Sequence, residues 1–266
     1  METRNDFIEI LKRKNIDYIL DGDKNIITDV NDDVNLDGLT SLPSNVIFNN
    51  KGCVFLNSLT SLPSNIVFNN QGGVYLSSLK TMPSNIVFNN HGTVWLNSLK
   101  TIPSNVVFNN QGYVDLNSLK TIPSNVVFNN KGGVYLSSLT SLSSDNVFNN
   151  QGGVYLSRLT SMPIDIKVFD DYAVKINNTK QTKGYTIYDC NYLGNNNHCF
   201  VAEKDGFTAH GKTVKKAIED VEYKIISEKL KNEPITLDTI VDVNHYRMIT
   251  GACELGISNW LKVYGK

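Results

Sequence analysis

Between residues 34 and about 162, apolar and polar positions recur every 20 residues, as in SLTSLPSNIVFNNQGGVYLS at 58–77. Valine fills one column (Val34, Val54, Val74, Val94, Val114, Val134, Val154), and leucine stands two places on (Leu36, Leu56, Leu76, Leu96, Leu116, Leu136, Leu156). A V-x-L alternation is a short strand with both named residues on one face. A second strand is predicted at Val46-x-Phe48, Ile66-x-Phe68, Ile86-x-Phe88, Val106-x-Phe108 and Val126-x-Phe128, and a third apolar edge by Leu59 with Leu62 or Leu99 with Ile102. Three apolar segments per repeat must converge on one interior. The pattern therefore predicts a mainly β chain, a single-stacked β-solenoid of 20-residue coils. At about 4.8 Å per coil, the seven V-x-L repeats make a rod on the order of 34 Å long.

The turn residues are specific. Pro43, Pro63, Pro83, Pro103, Pro123 and Pro163 fix φ after the leucine edge. Asn50 with Gly52, repeated through Asn150 with Gly152, supplies positions tolerant of positive φ and reads as a corner. The paired asparagines (Asn49 with Asn50, Asn69 with Asn70, and onward) fall in register, where their amides can bond to those above and below as a ladder.

Residues 1–33 read as a cap, residues 34–176 as the solenoid and residues 177–266 as a small α+β domain. In the cap, Phe7, Ile8, Ile10 and Leu11 form a helical face behind Thr3 or Asn5 as N-cap, suited to covering the first open coil or docking a partner. After Ile176, NNTKQTKG reads as a polar linker. Strands are expected at 185–192 and 198–203 and at FTAHG, a helix at 212–230 and one or two more helices around 243–264.

The LTSLP element at 59–63 and the 20-residue period resemble the short leucine-rich repeats of bacterial effector proteins. In that family an Asn follows the strand, whereas VYLSSLKTMP runs directly from strand to leucine edge, which favours a straighter solenoid over a horseshoe. The whole arrangement, with AHGKT before a late helix, also resembles solenoid proteins of phages and mobile elements. That resemblance spans most of the chain and carries no known active site; a binding protein in a host cytosol, with no cofactor, is the expectation.

Charge and composition narrow the classes further. A net charge of -1 argues against non-specific binding to nucleic acid or anionic membrane. METRNDFIEILKRKN carries charges throughout and no 18-residue apolar run occurs, so neither a signal peptide nor a membrane span is expected. Cys53, Cys190, Cys199 and Cys253 are too few for a disulfide framework and read as reduced thiols.

GFTAHGKT matches a phosphate loop by letter at Gly206, Gly211, Lys212 and Thr213. Its surroundings read instead as a hairpin leading into a helix, because no long apolar parallel strand precedes it and fewer than 60 residues follow. Cys190, His198, Cys199 and His210 contain no C-x-x-C pair, and His198 and Cys199 should point to opposite faces, so packing is the expectation and a metal is not.

The outward columns carry more information. Phe55, Tyr75, Trp95, Asp115, Tyr135 and Tyr155 form an aromatic stripe, which is either a structural cross-strand ladder or a set of interface anchors. Ile47, Val67, Val87, Val107, Val127 and Val147 form an apolar row, expected to pair two chains as a homodimer. Lys80, Lys100 and Lys120 stack in one column, where solvated lysines blunting a strand edge are the plain explanation and a positive binding face the other. The stripes and the resemblance together lead to a non-enzymatic protein that binds and inhibits a host protein or ribonucleoprotein, such as a defence complex of the CRISPR type. The alternatives are a nucleotide hydrolase using residues 206–213 and a nucleic-acid-binding solenoid.

Overall fold

The computed structural model describes residues 3–22, 24–143 and 145–232, with 240, 243, 245 and 246. The chain forms two compact units, Met1–Lys175 with Asn191–Asn197, and Ile176–Cys190 with His198–Lys266. The helices expected around 243–264 lie, save for residues 243, 245 and 246, outside the described residues, as does Cys253. Among the described residues no helix is long and apolar enough to cross a membrane.

The first unit is a β-solenoid of about six coils at 20-residue spacing. One row of parallel strands runs from Asn25–Thr28 and Val46–Phe48 through Val67–Phe68, Val87–Phe88, Val107–Phe108 and Val127–Phe128 to Val147–Phe148. The other runs from Val34–Asn35 to Val154–Tyr155. In each row a residue pairs with its counterpart one repeat later, Val54 with Val74 and Phe48 with Phe68. The third edge is stitched by parallel bridges such as Ser61 to Thr81 and Thr121 to Ser141. The first row starts earlier than the V-x-L period implies, because Asn25–Thr28 pairs in parallel with Val46–Phe48. Its partner in the antiparallel hairpin is Tyr18–Asp21.

All three apolar segments face inward. The Val and Leu columns are fully buried, and so are Phe48, Phe68, Phe88, Phe108 and Phe128. These phenyl rings stack nearly parallel at 5.2, 5.2, 5.3 and 5.3 Å, a spacing set by the coil rise. Each buried phenyl contributes roughly 1.5–3 kcal/mol of transfer free energy. A ring therefore stabilises its own coil and forms the floor for the next.

The corners work differently from the sequence expectation. Positive φ falls on Asn45, Asn65, Asn105 and Asn125 (φ 60 to 63), not on the Asn-x-Gly glycines. The glycines are required by close approach, since a Cβ on Gly92 would lie 2.4 Å from the Gly73 nitrogen and 2.5 Å from the Gly72 carbonyl carbon. Successive backbones touch there.

The two asparagines beside this corner divide the labour. The outer one forms the amide ladder, with Asn89 donating to Asn69 at 3.2 Å and Asn109 to Asn89 at 3.3 Å. The inner one is fully buried and donates to backbone, as Asn90 does to the Gly92 and Gly72 carbonyls at 2.8 and 3.2 Å. A further ladder, unexpected from sequence, runs through Asn45, Asn65 and Asn85.

Both ends of the coil stack are covered. Helix α1 (Arg4–Arg13) begins at Thr3, whose hydroxyl accepts from the Asp6 amide while the Asp6 carboxylate accepts from the Thr3 amide. It buries Phe7, Ile10 and Leu11 in the solenoid core. At the other end Tyr172–Thr182 pairs antiparallel with the last V-x-L strand at Tyr155, which ends the parallel row. The loop Asn191–Asn197 packs Leu193 on the same core, its amide donating to the Ala173 carbonyl at 2.8 Å, and Gly194 fits against Gly152 and Asn150.

The expected polar linker is a strand. Residues 177–182 belong to Tyr172–Thr182, and Lys183-Gly184, both at positive φ, make a tight turn into Tyr185–Tyr192. Backbone pairing holds this segment in place, so its polarity carried no strand signal. In the second unit, Tyr185–Tyr192, His198–Lys204 and Phe207–Gly211 are sheet neighbours in that order. Helix α2 (Val214–Asn232) buries Ala217, Val221 and Ile225 with Ile187, Ala202 and Ala209. Glu222 on α2 accepts from the Tyr185 hydroxyl and from Lys204, both at 2.5 Å, which ties the helix to two strands and lowers the Glu222 pKa.

Two substitutions test the corner account. Asn90→Ala removes two buried hydrogen bonds and leaves a hole at the corner, and should cost about 1–3 kcal/mol in chemical denaturation, whereas Asn89→Ala, on the exposed ladder, should cost about 0.5 kcal/mol. Gly92→Ala forces two backbones apart and should cost about 1–3 kcal/mol. Equal, small effects from all three would contradict the close-stacking corner.

Candidate functional site

The aromatic stripe lies on the outward side of the second strand row. Each ring is set by strand alternation, since Val54 and Leu56 face the core and Phe55 cannot. With parallel pairing in exact register, like side chains stack. Phe55 and Tyr75 lie 4.6 Å apart at 18°, Tyr75 and Trp95 4.2 Å at 10°, and Tyr135 and Tyr155 4.7 Å at 12°. The rings are half-buried.

The stack continues past the last repeat. Tyr172 sits 5.1 Å from Tyr155, and Tyr192 lies 5.8 Å from Tyr172. The period could not reveal either residue, because both come from the antiparallel strands that close the coil stack. Each ring also leans back over the preceding coil, which explains small residues in the column two places upstream. A Cβ on Gly73 would meet the Trp95 ring at 2.6 Å, and one on Gly133 would meet Tyr155 at 2.9 Å.

One coil departs from this arrangement. Asp115 replaces the ring, pairing in register with Trp95 on one side and Tyr135 on the other. In the same coil Tyr113 occupies the small-residue column, 48% exposed, and tilts its ring at 37° against Tyr135, 5.6 Å away.

The second expected stripe is also present. Ile47, Val67, Val87, Val107 and Val127 are half-buried and face outward from the first row, and Val147 is 41% exposed. The row is longer than the sequence showed, because Ile27 pairs with Ile47 in register and Ile19 pairs across the hairpin with Ile27. Ile19 is 52% exposed. Lys80, Lys100 and Lys120 stand exposed on the third edge, where the Lys100 amide donates to the Lys80 carbonyl.

The phosphate-loop letters do not make a loop. Gly206 is the second residue of an Asp205-Gly206 hairpin turn, Phe207–Gly211 is a paired strand, and Lys212 is exposed. Gly211 is needed because a Cβ there would lie 2.4 Å from the Ala217 nitrogen. The Thr213 hydroxyl accepts from the Lys216 amide at the start of α2. The four residues thus serve a hairpin and a helix start.

The cysteine and histidine candidates divide between two faces. Cys190 and Cys199 are buried with sulfurs 3.4 Å apart, while His198 is exposed and contacts Asp189 at 2.9 Å. The hydrogen bond from Cys190, aided by His210, holds the Cys199 thiol down to about 5, and the same bond with burial pushes Cys190 up. Among the described residues no group of three or more His, Cys, Asp or Glu side chains could hold a metal ion.

Burial also acts on the tyrosines of the stripe. It raises Tyr75 and Tyr135, and with Tyr172 beside it pushes Tyr155 up to about 12 from 10.0. A phenol whose folded pKa exceeds its unfolded value contributes stability that is complete below the unfolded pKa and lost as pH rises through the folded one. Stability should therefore fall between pH 10 and about 12, with a late tyrosinate absorbance step, and Tyr155→Phe should flatten the fall. A stability curve over that range unchanged by Tyr155→Phe would contradict the packed stack. Comparison of the chain with protein-family models, curated proteins and solved structures finds no match to any of them.

Proposed function

We propose that this protein is a non-enzymatic binding protein that engages a macromolecular partner through the stacked ring stripe. The observation that carries the reading is a row of outward aromatic side chains, stacked by register from Phe55 to Trp95 and from Tyr135 to Tyr155 and extended by Tyr172 and Tyr192. Tyr and Trp are the residues that anchor interfaces, and rings already ordered by stacking lose little side-chain entropy on binding. In this reading, which draws on the resemblance to phage and mobile-element solenoids, the partner is a host protein or ribonucleoprotein complex whose action the protein blocks. The lysine column is too sparse to favour nucleic acid, and residues 206–213 lend a hydrolase no support.

The test is capture of the partner from host lysate, followed by titration of the purified pair. Trp95→Ser keeps the strand, as Asp115 does in the same column, and should weaken binding about thirtyfold. Full affinity in both Trp95→Ser and Tyr75→Ser would reject the stripe as the binding face, and a steep salt dependence with unchanged ring variants would favour nucleic acid.

The aliphatic row supports a second contact, with another copy of the chain. Ile19, Ile27, Ile47, Val67, Val87, Val107, Val127 and Val147 line one outward face, and a two-fold pairing covers the same row on both chains. Analytical ultracentrifugation at micromolar concentration should show twice 29.7 kDa, and Val87→Lys with Val107→Lys should give soluble monomer. A wild-type monomer under those conditions would overturn this contact.

A further inference from the structure

The coil that breaks the ring stack holds the most specific feature of that face. We propose that Trp95, Asp115 and Tyr113 form a slot for one planar cation, the guanidinium of an arginine on the partner, stacked on the indole beside the Tyr113 ring and paired with the carboxylate. The inference rests on the reading of the stripe as a binding face.

Three observations carry it. The first is spacing. Trp95 and Tyr135 are two coils apart, about 9.6 Å along the stack, so the ring missing at Asp115 leaves the far face of Trp95 without its stacking neighbour. Trp95 stacks on Tyr75 at 4.2 Å, and among the described residues no ring meets its other face. The Tyr113 ring leans toward the following coil, 3.4 Å from the Cβ position of Gly133 and tilted against Tyr135, so it stands on the Asp115 side of Tyr135 and leaves Trp95 as the stacking face.

The second observation is the charge. Asp115 accepts a hydrogen bond from the Asn117 amide at 3.0 Å, a local turn. Asn35, in the same column, makes the same turn to the Asp37 amide at 3.0 Å. An uncharged side chain is therefore sufficient for the turn, and the negative charge at Asp115 needs another reason. The remaining carboxylate oxygen is the only formal charge in the column between Phe55 and Tyr155.

The third is that two departures coincide. In the column that reads Cys53, Gly73, Thr93, Gly133 and Gly153, the one aromatic is Tyr113, two residues before Asp115. One departure removes a ring from the stack, and the other adds a half-exposed ring beside the vacancy. Arginine suits the result better than lysine, since a planar guanidinium stacks on rings while its N–H groups fork onto a carboxylate.

The experiment uses the full chain and two small probes, N-acetyl-arginine methylamide and its lysine counterpart, with the Trp95 indole N–H followed by NMR and assigned with Trp95→Phe. The arginine probe should shift that signal saturably with a millimolar dissociation constant, about fivefold tighter than the lysine probe. Asp115→Asn should weaken it about fivefold, and Asp115→Tyr, which completes the stack, should abolish it. No saturable shift at tens of millimolar, or equal binding in wild type and Asp115→Tyr, would overturn the slot. If Asp115→Tyr also keeps full partner affinity while Trp95→Ser loses it, the slot fails and the binding face stands. If both keep it, the face itself fails.

Discussion

Vertical register between coils is the constraint on which the rest of the first unit depends. Because each strand residue pairs in register with its counterpart 20 positions later, most side chains are placed directly above a like one. This repetition turns single residues into columns of phenyl rings, amides, aliphatics and outward aromatics. It also makes each column intolerant in its own way. A wrong residue affects its own coil and the two that flank it, since the neighbours were shaped around the same side chain.

The register also explains how polar and strained groups are accommodated. At the corners, backbone lies on backbone with no room for a Cβ, and the buried Asn50, Asn70, Asn90, Asn110, Asn130 and Asn150 satisfy the carbonyls that such a tight bend turns inward. The left-handed residues sit elsewhere, at Asn45, Asn65, Asn105 and Asn125, where an asparagine tolerates positive φ and its amide can reach the next coil. A rigid lattice of this kind leaves few degrees of freedom to its outer face. The ring stripe is consequently ordered by the fold itself, and Asp115 and Tyr113 are its departures from uniformity.

Much of this was legible in the sequence, for a physical reason. The V-x-L and I-x-F columns encode both strand period and coil period, so the strand rows and the direction of the outward stripes follow directly. The late strands Tyr185–Tyr192 and Phe207–Gly211 were equally readable from apolar runs between turn residues. What escaped was structure held by backbone alone or by contacts outside the period. The polar segment 177–182 is a strand without an apolar face, and Tyr18–Asp21 exposes Ile19 and Leu20. The glycines were visible but were assigned the wrong job, because close approach and positive φ leave the same letter. Tyr172 and Tyr192 join the stripe only through the antiparallel closure, which no 20-residue column could indicate.

The central claim, that the outward ring stack is the face a partner covers, can be read directly by hydroxyl-radical footprinting of the captured complex, since tyrosine and tryptophan side chains are strong reporters. Protection concentrated on Tyr75, Trp95, Tyr113, Tyr135 and Tyr155, with the lysine column and the strands after Lys175 still reactive, is the result predicted. Undiminished reactivity of those five rings in a saturated complex, with protection confined to the aliphatic row or to the second unit, would contradict it.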